Sequence, residues 1–247
     1  MHSTTHTGKD ATSAVFLHGF GADCLSWLGN MGALPEIDKK SPDLRGHGNS
    51  LTTITDGSLE DLATGVMADI GDGPPAWLLG HSLGGGVALW LAANHPERWK
   101  GLFLMAPLGL GQGVDMKRLR RYPEITDEDE MMGFLESLVF DRSKMKREFA
   151  AYALSQFDKP GGREGLRKIV EQVPEAAQQV KDLLPRVIEA GLDVTVFWGS
   201  NDTVAKPDPN LIAPFGPMVA CPDTGHIVHV EAMPAVNAHL RQRMGLD

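Results

Sequence analysis

The sequence predicts an α/β fold, in which helices flank a mostly parallel central sheet and a helical insertion interrupts it. Short apolar runs alternate along the chain with helix-length amphipathic segments, which is the pattern of βαβ units. The runs are apolar on both faces and soon end at Gly or Pro, as strands buried inside a parallel sheet do. The predicted strands are 14–17, 76–79, 101–105 and 193–198, and predicted helices begin at Ser58, at Ser82 and near Pro234.

Composition narrows the class of protein. The 247 residues suffice for one large α/β domain or two small ones. The formal net charge of -9 disfavours a nucleic-acid-binding surface. No apolar stretch reaches the roughly 18–20 residues of a membrane span, and the polar residues 1–10 lack the pattern of a signal peptide. We therefore expect a cytoplasmic protein with no nucleic-acid or membrane partner. Cys24 and Cys221 match no metal-ligand spacing and are expected to be buried.

The segment 108–185 breaks the alternation of strands and helices. It contains no convincing strand, and its predicted helices are 129–140, 144–157 and 164–173, with a turn at Gly161-Gly162. We expect this segment to be a helical cap over a pocket. Residues 1–107 and 186–247 would then form the core domain.

A candidate nucleophile lies in the segment Gly80-His81-Ser82-Leu83-Gly84, which fits the pattern G-x-S-x-G. A predicted strand precedes this segment and a predicted helix follows it, which is the structural context that the motif requires. In such a tight turn the flanking glycines avoid clashes, and the serine Oγ projects above the sheet. Ser82 is therefore the predicted nucleophile.

A serine hydroxyl needs a general base, because it is a poor nucleophile at neutral pH. In hydrolases with this turn the acid and then the histidine follow the serine along the chain. His226 stands in a loop after the apolar segment 218–220 and is the predicted base. The alternatives, His229 and His239, fall within predicted helices, where a structural role is expected.

The acid that orients the histidine should follow a strand between Ser82 and His226. Asp202 comes after the strand 193–198 through a short loop, and a carboxylate there can accept the imidazole Nδ1 proton. Asp208 stands further down the loop between prolines. Asp223 is close to His226 in sequence, so it would not come from a separate strand. Asp202 is the predicted acid.

The oxyanion hole of a serine hydrolase uses two backbone N–H groups. One is expected from Leu83, the residue after the nucleophile, and the other from Phe20 in the loop after the first strand. His18, at the start of that loop, is expected to be structural.

Five segments in the right order together resemble the α/β-hydrolase fold superfamily: 18–21, 43–50, 80–85, 198–202 and 225–231. The resemblance implies an α/β-hydrolase fold, and no metal or organic cofactor. Within the superfamily, Trp27 and the segments 80–85 and 226–232 are similar to the catalytic domain of acetoin-dehydrogenase dihydrolipoamide acyltransferases, and to small esterases and enol-lactonases. The polar segment 36–42 stands where the superfamily usually has an apolar strand, so a short or irregular strand is expected there.

The expected function is hydrolysis of a carboxylic ester or a related acyl compound, such as a thioester or lactone. Three alternatives stay open: acyl transfer by the same triad, cleavage of a carbon–carbon bond in a diketone or dienone acid, and ligand binding without catalysis. Trp27 and Ile227 are the expected pocket walls. Arg118, Arg120 and Arg121 are candidates to bind a substrate carboxylate if one of them turns inward. We expect a monomer or small homo-oligomer that acts on a small molecule.

Overall fold

The computed structural model describes residues 2–8 and 12–246. Its strands are β1 (Ser3–His6), β2 (Ser13–Leu17), β3 (Asp38–Pro42), β4 (Ala76–His81), β5 (Trp99–Met105), β6 (Gly111–Gln112), β7 (Asp193–Gly199), β8 (Lys206–Pro207) and β9 (Val219–Cys221). Its helices are α1 (Leu28–Gly32), α2 (Leu59–Ile70), α3 (Leu83–Asn94), α4 (Met116–Arg121), α5 (Glu128–Glu136), α6 (Arg147–Phe157), α7 (Gly162–Glu189), α8 (Pro209–Ile212), α9 (Val228–Glu231) and α10 (Met233–Met244). Parts of the polar stretch 1–10 lie outside the described residues.

Seven strands form one sheet in the order β1-β3-β2-β4-β5-β7-β9. Every neighbouring pair is parallel except β1 with β3, which is antiparallel at one edge. The mostly parallel sheet predicted from the sequence is therefore confirmed. The four predicted strands each match an observed strand to within two residues at either end, because their apolar runs are buried on both faces of the sheet.

Strand β3 is regular although its sequence is polar, so the expectation of a short or irregular strand there is wrong. It pairs with β1 on one side and with β2 on the other. Lys39 and Ser41 point into the protein, where the Lys39 ammonium donates to the Leu34 carbonyl and the Ser41 hydroxyl donates to the Phe16 carbonyl at 3.1 Å. A polar strand is tolerated here because each buried donor has an acceptor.

Two apolar clusters cover the two faces of the sheet. Helix α3 lies in the larger cluster and packs against α2 and α7. It is apolar on all sides, which is typical of a helix that is buried all round. Helix α2 begins as predicted, since the Ser58 hydroxyl accepts a hydrogen bond from the Asp61 N–H at 3.2 Å and caps it. Within the described residues, the protein has no helix long and apolar enough to cross a membrane.

The segment 108–185 contains α4, α5, α6 and most of α7, together with the short strand β6, which pairs with β8. The last predicted helix, 164–173, is part of a much longer one. Helix α7 has 28 residues and continues through Pro174 and Pro185. Its buried residues occur on both sides of Pro174, so packing against the core outweighs the backbone hydrogen bonds that proline removes. The helix therefore passes through position 185, the expected end of the cap.

Candidate active site

A cavity lies between the carboxyl ends of the central strands and the helices of the segment 108–185, which we call the cap. Parallel sheets commonly bind ligands at this edge, because the loops that follow the strands converge there. The cavity is lined by Phe20, Ser82, Leu83, Ala106, Pro107, Leu108, Gly109, Gly111, Val114, Leu119, Val173, Ala177, Val204, Ala205 and His226. The structure thus brings together four residues that the sequence singles out, the predicted nucleophile, base and oxyanion donors.

Ser82 joins β4 to α3 in a strained turn. Its φ of 51° and ψ of -114° are unusual for a residue with a side chain, and such strain costs about 1–3 kcal/mol. Three backbone hydrogen bonds hold the turn: Ser82 donates to the Met105 carbonyl at 3.0 Å, and its own carbonyl accepts from Gly86 and Leu108 at 3.1 and 2.8 Å. Strain maintained in this way at a cavity wall is typical of functional sites.

The turn also depends on the close approach of α3 to β2. A Cβ atom added to Gly84 would lie 2.4 Å from the carbonyl oxygen of Leu17 and 2.5 Å from that of His18. Only glycine fits this gap, because both atoms are backbone atoms, one at the end of β2 and one in the loop that follows it. The helix N-terminus is therefore held against the loop that contains Phe20.

His226 and Asp202 form a hydrogen-bonded pair. Nδ1 of the imidazole lies 2.8 Å from Oδ2 of the carboxylate, and the two side chains are 7% and 1% exposed. The other carboxylate oxygen, Oδ1, accepts from the backbone N–H groups of Val204 and Ala205 at 2.7 and 3.2 Å. Since a carboxylate accepts the Nδ1 hydrogen, Nε2 is the free basic nitrogen of the neutral ring.

The alternative acids have other roles in the structure. The Asp208 side chain caps α8 by accepting from the Asn210 N–H at 3.0 Å. Asp223 is exposed and occupies a turn with a φ of 49°.

The alternative bases are also packed away from the cavity. His229 is 1% exposed and stacks on Trp27 with ring centroids 4.1 Å apart. His239 lies in α10, with its ring edge-on to Phe197 at 5.2 Å. Neither residue lines the cavity.

The loop after β2 contains a tight turn that we call the oxyanion loop, residues 18–23. Ala22 donates to the Gly19 carbonyl at 3.2 Å, and Gly21 has a φ of 76°, which fits glycine at the third position of a type II turn. Phe20 occupies the second position and lines the cavity beside Leu83. The backbone N–H of Leu83 belongs to the first turn of α3, where such groups lack partners within the helix.

His18 is structural, as expected from the sequence. Its Nε2 accepts the Leu44 N–H at 2.9 Å, so its Nδ1–H donates to the Gly19 carbonyl, also at 2.9 Å. Burial lowers the pKa of His18. The ring therefore stays neutral and joins the oxyanion loop to the segment that follows β3.

His81, beside the nucleophile, supports the candidate base through the backbone. Its Nε2–H donates to the His226 carbonyl at 3.0 Å, and its ring lies between those of His226 and His229, at 4.9 and 4.8 Å. Burial, with smaller effects from the neighbouring histidines, holds the pKa of His81 well below its usual value. Burial likewise lowers the pKa of His229 and of His47 to about 3. His81, which packs against His226, and His229, which packs against His81, are therefore uncharged.

Two expected pocket residues do not line the cavity. Trp27 is fully buried in the smaller core cluster, where it contacts Phe16 and His229, so the expectation of a pocket wall at Trp27 is not met. Ile227 is half-buried and also absent from the lining. The apolar walls come instead from the loop after β5, from α4 and α7, and from the loop after β7. The sequence gives one signal for these walls, the Pro-Leu-Gly segment that ends the β5 run.

The three arginines of α4 have different surroundings. Arg120 and Arg121 are more than half exposed and pair with Glu171 and Glu130 through two hydrogen bonds each. Arg118 is half-buried, donates to the Ser137 hydroxyl at 2.5 Å and covers the ring of Phe134. Burial lowers its pKa, against opposing effects of Asp115 and Asp202.

One trio of candidate metal ligands occurs among the described residues, His2, Cys24 and Asp43. The Asp43 oxygens already accept backbone N–H groups of Cys24 and Asn49, both at 2.8 Å. Burial raises the pKa of Cys24 to about 12, so its thiol stays protonated. The trio lies beside β1 and includes no residue of the cavity.

Known proteins resemble the chain both in sequence and in fold. It is 30% identical, over 94% of its length, to the "dihydrolipoyllysine-residue acetyltransferase component of acetoin cleaving system" of Pseudomonas putida, but spans only 63% of that protein. It is 29% identical, over 85% of its length and 77% of the relative, to a "2-hydroxy-6-oxononadienedioate/2-hydroxy-6-oxononatrienedioate hydrolase" of Burkholderia vietnamiensis. The crystal structure of a serine hydrolase of Cycloclasticus zankles superposes with a TM-score of 0.85 at 20% identity, covering 98% of this chain and 93% of the other.

A profile of the alpha/beta hydrolase family matches residues 14–239, which is most of the chain. The match includes every strand that surrounds the cavity, from β2 to β9. On this evidence the chain belongs to the alpha/beta hydrolase family.

Proposed function

We propose that the chain is a serine hydrolase that cleaves a carboxylic ester or a related acyl compound, such as a thioester or a lactone. The observation that carries the proposal is the 2.8 Å contact between His226 and Asp202 at a cavity that Ser82 also lines. A histidine whose Nδ1 is held by a buried carboxylate, at the same cavity as a serine in a strained turn at a helix N-terminus, has the parts that acyl transfer to serine needs.

In the proposed reaction, the Ser82 Oγ attacks the substrate carbonyl carbon while Nε2 of His226 takes the hydroxyl proton. Asp202 stabilises the imidazolium that forms. The backbone N–H groups of Phe20 and Leu83 donate to the developing oxyanion, a contribution of about 3 kcal/mol for each donor in comparable enzymes. The intermediate collapses, the leaving group departs with the proton from His226, and water then hydrolyses the acyl-enzyme by the same steps. These residues supply the nucleophile, base and oxyanion donors, so the proposed reaction uses no cofactor.

The cavity favours a small apolar acyl group. Its volume is about 60 Å³, and on this scale a buried water molecule needs roughly 10–15 Å³. Its walls are mostly aliphatic side chains. Of the three α4 arginines, Arg118 is the half-buried one, and its charge interacts with that of Asp202, so we assign to it a contact with a polar end of the substrate. The proposal is for a cytoplasmic enzyme, monomeric or in a small homo-oligomer, as the sequence leads us to expect.

Two related reactions are the second candidates. The relative in Pseudomonas putida is named an acetyltransferase component, which favours transfer of the acyl group to an acceptor other than water. The relative in Burkholderia vietnamiensis is named a hydrolase of an oxo-dienedioate, which favours carbon–carbon cleavage. Both reactions would use the same serine and histidine.

The test compares the unaltered protein with Ser82→Ala on p-nitrophenyl esters from acetate to octanoate, and labels both with a fluorophosphonate. We expect turnover and labelling of the unaltered protein only, with short esters hydrolysed fastest. Ser143→Ala is a matched control, because this exposed serine donates its hydroxyl to Asp141 at 2.6 Å and does not line the cavity.

The other outcomes point to different functions. Labelling at Ser82 without ester hydrolysis would favour acyl transfer or carbon–carbon cleavage. If the unaltered protein neither labels nor hydrolyses any ester, the catalytic proposal is wrong, and ligand binding without catalysis becomes the better explanation.

A further inference from the structure

The cap contacts the oxyanion loop through both tyrosines of the chain. The sequence contains two tyrosines, Tyr122 and Tyr152. The Tyr122 hydroxyl donates to the Gly21 carbonyl at 3.0 Å, and the Tyr152 hydroxyl donates to Oδ2 of Asp23 at 2.5 Å. Tyr122 follows α4 and Tyr152 lies in α6, so two separate parts of the cap hold two successive parts of the same loop.

Tyr122 is fixed by packing as well as by its hydrogen bond. It is 3% exposed, and its ring contacts those of Phe20, Phe134 and Phe157 at centroid distances of 5.6, 4.8 and 5.2 Å. The ring also lies against Gly21, where an added Cβ would be 2.4 Å from it. A side chain held on all sides can fix the orientation of the peptide that accepts its hydrogen bond.

Tyr152 acts on the other end of the turn. Asp23 is 8% exposed, and its Oδ1 accepts the Leu25 N–H at 2.9 Å, which caps the short 3-10 helix Cys24–Trp27. The second carboxylate oxygen bonds Tyr152. Asp23 therefore joins the end of the oxyanion loop both to the 3-10 helix that follows it and to the cap.

Both hydroxyls stay protonated at ordinary pH and remain hydrogen-bond donors. Burial raises the pKa of Tyr122, and burial together with the hydrogen bond to Asp23 raises the pKa of Tyr152. Ionisation therefore does not interrupt either contact in the range where hydrolases are assayed.

We propose that Tyr122 and Tyr152 are positioning residues through which the cap orients the oxyanion loop, so that the Phe20 N–H points at the reacting carbonyl oxygen. This inference rests on the proposed hydrolase function. Phe20 and Gly21 are the two central residues of the turn that Tyr122 holds. The Gly21 carbonyl shares a peptide with the Ala22 N–H, which donates to the Gly19 carbonyl, and that carbonyl shares a peptide with the Phe20 N–H. The Ala22–Gly19 hydrogen bond therefore passes a change in the direction of the Gly21–Ala22 peptide to the Phe20 N–H, and oxyanion donors act only over a narrow range of distance and direction.

The test measures kcat and KM on p-nitrophenyl acetate for Tyr122→Phe, Tyr152→Phe and the double variant. Complete loss of an oxyanion donor costs about 100-fold to 1000-fold in kcat, so we expect misorientation to lower kcat by roughly 10-fold for Tyr122→Phe and less for Tyr152→Phe. KM should stay within about twofold, because the oxyanion forms only after binding.

A second readout separates positioning from general loosening of the cap. An alkylboronic acid forms a tetrahedral adduct with the serine, so its Ki should rise by the same factor as kcat/KM falls. Ser155→Ala is the matched control. It removes a hydroxyl from α6 whose hydrogen bonds, among the described residues, are with the Tyr152 carbonyl and a neighbouring glutamine, and it should leave both readouts unchanged.

The outcomes separate this inference from the proposed function. If Tyr122→Phe and Tyr152→Phe fold and keep kcat within twofold, or change KM alone, the positioning role is wrong. If Tyr122→Phe does not fold, Tyr152→Phe decides the question, since its ring is 43% exposed and tolerates change. If the unaltered protein is not labelled at Ser82 by a fluorophosphonate, the proposed function is wrong and the positioning role is wrong with it.

Discussion

Different interactions stabilise the sheet core and the cap. The core strands bury apolar residues on both faces, and the backbone groups at its turns are paired to one another. The cap has a small apolar cluster of its own, around Tyr122, and many ion pairs at its surface. These pairs are Arg120–Glu171, Arg121–Glu130, Arg147–Glu128, Arg147–Asp129 and Arg167–Glu124, all between exposed or half-exposed side chains.

The core and the cap should differ in how well they tolerate substitutions and in what they contribute to the candidate site. Exposed ion pairs contribute little to stability, because water and salt screen them, whereas close backbone packing in the core admits almost no added atom. The candidate catalytic residues all stand on core loops, and the cap supplies pocket walls and contacts to the oxyanion loop. We therefore expect the core and the cap to respond very differently to substitution.

The largest effect should come from Asp202→Asn in the core. An asparagine can still accept the Val204 and Ala205 N–H groups, but it cannot hold His226 in the tautomer that leaves Nε2 basic. We expect kcat to fall about 1000-fold to 10,000-fold with little change in thermal stability.

The control for Asp202→Asn is Asp208→Asn, which changes another aspartate of the segment after β7 and should keep nearly full activity. Equal losses of activity in the two variants would contradict the assignment of the acid.

The next largest effect should come from Gly84→Ala, because the core has no space for an added atom at this position. Its Cβ would meet two backbone carbonyl oxygens within 2.5 Å, so we expect a loss of about 3 kcal/mol or more in the free energy of unfolding. Urea denaturation of Gly84→Ala measures this loss in the free energy of unfolding.

The matched substitution in the cap is Gly133→Ala in α5, where an added Cβ has nothing within 4 Å. It should stabilise the protein by about 0.5–1 kcal/mol, because alanine favours the helix more than glycine does. Similar changes in both variants would remove the contrast between core and cap.

The buried histidines of the core should make stability depend on pH. The pKa of His47 and of His229 is lowered to about 3 in the folded protein, while the unfolded chain titrates near 6.5. Below pH 6.5 the unfolded state binds more protons, so the free energy of unfolding falls as the pH falls towards 3. From pH 7 to 5.5 the two residues together should cost about 2–3 kcal/mol.

Urea denaturation of His229→Leu and of the exposed His6→Gln tests this dependence. The slope of the free energy of unfolding against pH should become smaller in His229→Leu and stay unchanged in His6→Gln. An unchanged slope in His229→Leu would show that His229 does not contribute to the pH dependence of stability.

The smallest effect should come from the cap ion pair of Arg120 with Glu171. Both side chains are more than half exposed, so Arg120→Gln should leave the urea midpoint unchanged within error. A clear drop in the midpoint, at low and at high salt alike, would mean that this pair stabilises the cap more than exposure suggests.

Much of the core follows from local sequence, because apolar runs and glycine turns carry their structure with them. Strands β4, β5 and β7 and the turn at Ser82 are examples. Helix α7 could not be delimited in this way, since a proline usually ends a helix and only the packing of its far side keeps α7 continuous. Strand β3 is similar, because contacts to distant carbonyls compensate its polar residues.

The candidate site also has parts that local sequence predicts and parts that only the packing of distant residues shows. Ser82 and the predicted oxyanion donors, Phe20 and Leu83, come from short motifs and line one cavity, and the predicted acid and base lie together as the order of the motifs requires. Trp27 was placed by similarity to a family pattern, and only the packed structure shows its ring stacked on His229. The contact of Tyr122 with Gly21 joins residues about a hundred positions apart, so no local pattern indicates it.

The neighbours β5 and β7 in the sheet also determine the order in which the site can be assembled during synthesis. They pair from Gly101 with Asp193 to Met105 with Phe197, so residues 106–192 must leave the ribosome before β7 can join. Strands β2, β4 and β5 are adjacent in the sheet and leave the ribosome before β7, so they can pair earlier. The serine turn can therefore form on a nascent chain that still lacks Asp202 and His226. Asp202 and His226 can join Ser82 at the cavity only after β7 and β9 have been added to the sheet.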